Sequence, residues 1–169
     1  MLHDLSIFLL PSLMIIAAVT DVMSYRIPNW LTALIAVLFF PMALITQMPL
    51  VEFGSHLLAG AILFAVGYAL FAIGLFGGGD SKLMAAAGLW FGTSQTMPFL
   101  VLTALAGGLL AAGIMMWSVF MVMWDFHDPV AGTVIDKGIR KVKPKLPYGF
   151  AFAVGAILAF PHTWWVNVG

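Results

Sequence analysis

The chain has 169 residues, 63% hydrophobic and 8% charged, with a formal net charge of zero and a mean hydropathy of +1.08. A soluble domain carries roughly 25% charged residues, because water must solvate its surface, and this composition excludes such a surface. With no cysteine in the chain, disulfides, thiolate catalysis and cysteine-based zinc sites are excluded as well.

Apolar runs of about 18 residues or more recur, each long enough to cross a hydrocarbon core about 30 Å thick. In lipid, main-chain N–H and C=O groups must pair internally, so a helix bundle is expected. Barrel strands would alternate apolar and polar residues, and these runs do not. The expected fold is an all-α polytopic membrane protein of six transmembrane helices, with residues 1–169 forming one membrane-embedded domain. In chain order the helices are expected at about 5–23, 30–46, 56–76, 81–91, 97–124 and 148–160. The first run has no positively charged leader and no small-residue cleavage site, so it reads as a retained helix.

The seven basic residues sort by side. Arg26 follows the first helix, Lys82 lies between the third and fourth, and Lys137, Arg140, Lys141, Lys143 and Lys145 lie between the fifth and sixth. With six helices those links share one face. The positive-inside bias makes it cytoplasmic and puts both termini on the non-cytoplasmic side. The other face carries Asp4, Glu52, His3, His56 and His162. Gly60, Gly67 and Gly74, the pair Gly88 and Gly92, and the stripe Ala104, Gly108 and Ala112 read as helix-packing positions. Trp30, Trp124, Trp164 and Trp165 read as interface anchors, and Trp90 and Trp117 as packing residues.

Two acids need a reason. Asp21 ends the apolar stretch Ile15–Thr20, just before Arg26 and the helix-breaking Pro28. Intramembrane carboxylates usually face a protein interior or a wet cavity, although a helix-end acid can also simply reach the interface. Asp80 follows Gly77, Gly78 and Gly79. Glycines continue a helix poorly and let another chain approach closely. That suits a site admitting an extended peptide, and it also suits a plain solvated turn. By the six-helix topology both acids emerge on one face. Two carboxylates that converge share a proton, so one can accept a proton from water while the other protonates a carbonyl oxygen.

These residues resemble the type IV prepilin peptidases, a GxGD aspartyl protease family. Three segments carry the likeness: Asp21 with Arg26-Ile27-Pro28-Asn29-Trp30, Gly77-Gly78-Gly79-Asp80-Ser81-Lys82-Leu83, and Lys145-Leu146-Pro147-Tyr148-Gly149. The closest likeness is to the short branch serving tight-adherence (Flp-type) pili. The resemblance implies that Asp21 and Asp80 are the catalytic pair, without metal or cofactor. Gly77, Gly78, Gly79 and Lys82 would bind or position substrate. The substrate would be a pilin precursor, cut at the cytoplasmic face of a bacterial-type inner membrane between its basic leader and its hydrophobic helix. Beyond that precursor and membrane lipid no partner is implied, and nucleic acid is not expected. The chain starts directly at the first helix, so peptidase activity is expected without an N-terminal methyltransferase segment.

Other readings stay open at the level of sequence. Intramembrane carboxylates also serve a small ion- or proton-coupled transporter, and a non-catalytic membrane subunit of a secretion machine would carry similar helices. Asp125, His127 and Asp128 could offer oxygen and imidazole ligands to a divalent ion, but read more simply as a solvated helix end. The basic run from Lys137 to Lys145 could touch anionic headgroups or only set orientation.

Overall fold

A computed structural model describes residues 2–125 and 147–167. The helices are α1 (Leu2–Ser24), α2 (Asn29–Ile45), α3 (Leu50–Ala72), α4 (Gly78–Asp125) and α5 (Tyr148–Ala159). A 3-10 turn (Phe160–His162) and a short α6 (Trp164–Asn167) follow. Strands are absent among the described residues. Two units are distinguishable: residues 1–107 with 147–169, which hold the core, and residues 108–146, of which 108–125 are described and continue α4. The basic run from Lys137 to Lys145 and the group Asp125, His127 and Asp128 fall outside the residues whose side chains are described.

Prolines open three of these helices. Pro28, Pro49 and Pro147 stand at the N-caps of α2, α3 and α5, where a missing N–H costs nothing and the ring pre-sets the backbone. For that reason α3 begins at Leu50 rather than near His56. Helix ends are closed by residues in the left-handed region: Tyr25 (φ 51°) after α1, Gln47 (φ 52°) after α2 and Gly74 (φ 76°) after α3. After α2, Met48 N–H donates to Ala43 O at 2.9 Å and Gln47 N–H to Leu44 O at 3.1 Å, the paired bonds of a Schellman ending.

The sequence predicts separate fourth and fifth helices joined by a link. The chain instead turns at one residue, Gly92, whose backbone (φ 63°, ψ 176°) is the non-helical point inside α4. Phe76 meets Tyr148 and Phe91 meets Phe160, with ring centroids 5.3 and 6.3 Å apart, so α5 runs parallel to the arm of α4 before Gly92. Thr103 packs on Gly155 and Gly107 on Ala151, so the arm after Gly92 runs antiparallel to α5. The chain therefore reverses at Gly92, and six apolar segments alternate in direction. This contact with α5 runs through Thr103 and Gly107, whereas Ala104 is exposed and Gly108 meets open space. Gly60 and Gly88 do pack α3 against α4.

Side chains catch the main-chain groups around the break. Leu89 O accepts from His56 Nδ1 at 2.6 Å, and Trp90 O accepts from Trp165 Nε1 at 2.7 Å. Thr93 N–H donates to Ser55 Oγ at 3.1 Å, and Thr96 Oγ1 donates to Gly92 O at 2.6 Å. His56 stacks on Phe39 at 5.7 Å, and Trp165 lies 5.0 Å from Trp90. Trp165 is therefore fully buried rather than an interface anchor, because α6 folds over the break, whereas Trp117 is 65% exposed. Trp165→Phe should remove the buried hydrogen bond to the Trp90 carbonyl and cost about 0.5–1.5 kcal/mol, read as a lower unfolding midpoint in detergent.

By length and composition, Ile7–Ser24, Leu50–Ala72 and Gly78–Met121 are each able to cross a membrane; Asn29–Ile45 and Tyr148–His162 are shorter apolar helices. Much of the outer surface is apolar. Met23, Leu44, Leu50 and Val51 are each at least 80% exposed, a pattern that water does not favour over so many large side chains.

Candidate active site

Asp21 lies one turn before the end of α1. Its main-chain oxygen accepts from Tyr25 N–H at 2.7 Å as the helix closes. Its side chain is only 5% exposed. A buried carboxylate needs donors, and the first comes from far along the chain: Gly149 N–H donates to Asp21 Oδ2 at 2.7 Å. Gly149 is the second residue of α5, whose Pro147 N-cap offers no side-chain cap. Its N–H is one of the orphan donors of a helix start.

Asp80 occupies the first turn of α4 and is half-buried. Its Oδ2 accepts from Gly77 N–H at 3.2 Å, while Gly77 O accepts from both Ser81 N–H and Ser81 Oγ at 3.1 Å. An acid at this helix position reaching back to the preceding N–H is half of a capping box. The three glycines are thus not a loop. Gly78 and Gly79 already belong to α4, and only Gly77 stands outside it. A Cβ at Gly79 would lie 3.2 Å from Ile27 Cβ, and one at Gly77 would lie 2.8 Å from Asp80 Oδ2. A side chain at position 77 would press on the Asp80 carboxylate, and one at 79 would crowd the connection between α1 and α2.

The structure brings Asp21 and Asp80 to the same end of the bundle, near enough for the Asp21 charge to repel the Asp80 carboxylate. Each acid is held through Oδ2 by a glycine N–H, and among the described residues neither Oδ1 has a hydrogen-bond partner. Lys82 is not held by either acid; its Nζ donates to Asn29 Oδ1 at 2.9 Å and ties α4 to the start of α2. Beside Asp21 and Gly149 opens an apolar groove between α1 and α5, walled by Val19, Val22, Phe150 and Val154. Gly149 is the site residue that sequence reasoning missed. The signal was there in Pro147-Tyr148-Gly149, a helix opening with a glycine in its first turn, but not the partner it serves.

At one end of this bundle of apolar helices stand two acids within electrostatic reach of each other, the outline of a candidate paired-carboxylate site. A model of the type IV leader peptidase family matches residues 8–112. The chain belongs to that family, and so to the proteases. The matched stretch contains Asp21, Gly77, Gly78, Gly79, Asp80 and Lys82 and ends before Pro147. Comparison with curated proteins gave no match, and comparison with solved structures gave none.

Proposed function

We propose that this chain is a membrane aspartyl endopeptidase that removes the leader from type IV, Flp-like pilin precursors at the cytoplasmic face of a bacterial-type inner membrane. The observation that carries this reading is the pair Asp21 and Asp80, within electrostatic reach of each other, each with one carboxylate oxygen held and the other unpartnered among the described residues. A water between the two unpartnered oxygens loses a proton to one carboxylate as its oxygen attacks the scissile carbonyl. The other carboxyl gives its proton to the carbonyl oxygen. As the resulting diol collapses, one hydroxyl returns its proton to the second carboxylate, the C–N bond breaks, and the amine leaves with the proton first taken from water. Carboxylates that share a proton divide acid and base duties in this way, and their titration belongs to the pair.

The remaining parts fit the same reading. Arg26 and Lys82 lie in the connection after α1 and the first turn of α4, at the end that carries the acids, in keeping with a cytoplasmic site. The apolar exterior suits lipid contact, with both termini on the far side. Gly77, Gly78 and Gly79 would let an extended substrate segment approach Asp80, with Lys82 exposed close by, and the α1–α5 groove would receive the apolar stretch beyond the cut. The direct test incubates detergent-purified protein with a precursor that carries a basic leader and an apolar helix. One discrete cut is expected, seen as a gel shift with release of the leader by mass; an unchanged precursor in the presence of folded protein would refute the assignment.

A further inference from the structure

We infer that Gly149 is a positioning residue for Asp21, and that the opening of α5 sets the orientation of the catalytic carboxylate; this rests on the paired-acid reading above. The two residues are 128 positions apart, yet their contact is short and buried: N–H to Oδ2 at 2.7 Å, with Asp21 5% exposed. A bond between a main-chain N–H and a carboxylate is charge-assisted and stronger than a neutral one. Gly149 also lies where no side chain fits. A Cβ there would stand 2.9 Å from both Cβ and Oδ2 of Asp21 and 3.1 Å from its Cγ. Position 149 therefore does two things at once. It donates to one oxygen of Asp21 and, by having no side chain, lets the carboxylate seat against the helix start. With Oδ2 fixed there, Oδ1 is the oxygen left for water and substrate. Among the described residues Asp80 has no comparable tie to another helix, since its donor Gly77 stands beside it in the same turn.

The consequence is kinetic. A displacement of about 1 Å in a reacting group costs on the order of a hundredfold in rate. Gly149→Ala keeps the N–H but pushes Asp21 aside, so kcat should fall about a hundredfold with KM within about twofold of the wild type. Gly149→Pro removes the N–H as well and should fall further. A glycine needed only for packing would instead lower the unfolding midpoint and leave kcat per folded molecule intact.

Hydrogen exchange at the Gly149 amide gives a second readout that needs no activity and decides the matter if Gly149→Ala does not fold. Exchange should be slow in the wild type, remain slow in Asp21→Asn, whose amide oxygen still accepts, and become fast in Asp21→Ala. Full kcat in folded Gly149→Ala, or unchanged Gly149 exchange in Asp21→Ala, overturns the inference. If Asp21→Asn is inactive while Gly149→Ala is fully active, the positioning role falls and the acid pair stands. An active Asp21→Asn removes both.

Discussion

Asp21→Asn and Asp80→Asn are each expected to lower precursor processing by at least about a thousandfold, with folded yield and unfolding midpoint close to those of the parent. The rate loss follows from the chemistry. A positioned acid or base contributes on the order of 10² to 10⁴ in rate, and a thousandfold corresponds to about 4 kcal/mol in the barrier. An amide neither takes a proton from water nor delivers one to a carbonyl oxygen, so either change stops the exchange between the partners. The fold is spared because both acids are held by donors. In Asp21→Asn the new amide oxygen can accept from Gly149 N–H, and in Asp80→Asn from Gly77 N–H, as the carboxylates do at 2.7 and 3.2 Å. The measurement is the ratio of mature to precursor substrate at equal amounts of folded protein. Normal processing by both variants would place the chemistry elsewhere.

The largest expected loss of stability lies at the opposite end of the bundle. Gly92→Ala would force a β-carbon onto a backbone at φ 63° and ψ 176°, a region that costs non-glycine residues about 1–3 kcal/mol. That β-carbon would lie 3.0 Å from Cδ2 and Nε2 of the buried His56 ring, and overpacking of this kind adds about 1–3 kcal/mol. A total of about 3 kcal/mol or more should lower the unfolding midpoint by about 10 °C for a chain of this size. Gly74→Ala is the control. Its φ is also positive, at 76°, but a Cβ there meets nothing within 4 Å. The backbone cost alone, about 1–2 kcal/mol, should remain, and the difference between the two variants isolates the collision with His56. An unfolding midpoint for Gly92→Ala equal to that of Gly74→Ala would mean that the ring moves aside freely.

Much of this arrangement could be read from residues alone, for reasons that differ by position. Asp21 and Asp80 stand out because a carboxylate in an apolar chain has few tolerable surroundings, and because Pro28 and Gly77 mark where helices stop or start nearby. The alternation of six apolar segments follows from their lengths and from the sorting of the basic residues. Gly149 could not be assigned because its contribution is a main-chain N–H, which every non-proline residue has, delivered across 128 positions. Gly92 misleads in another way. Paired with Gly88 at a spacing of four it reads as a packing surface, and Gly88 does pack on Ala59 and Gly60 of α3, but Gly92 is the point of reversal. Nothing in its identity separates a glycine chosen for its small size from one chosen for its backbone angle. His56 and Trp165 are similar cases. Each is a polar-tipped ring in an apolar chain, and only the carbonyls around the turn give their N–H groups a purpose.

The closeness of Gly79 to Ile27 bears on the geometry of the pair as a whole. Ile27 belongs to the short connection between α1 and α2, and its own backbone N and O approach position 79 to 3.5 and 3.4 Å, measured from where a side chain would begin. Asp80 is carried by the turn that rests on that connection, and Asp21 by the helix that leads into it. The gap between the two acids is therefore gauged by a strip of main chain that contains neither of them. A glycine at 79 lets that gauge close to bare peptide thickness.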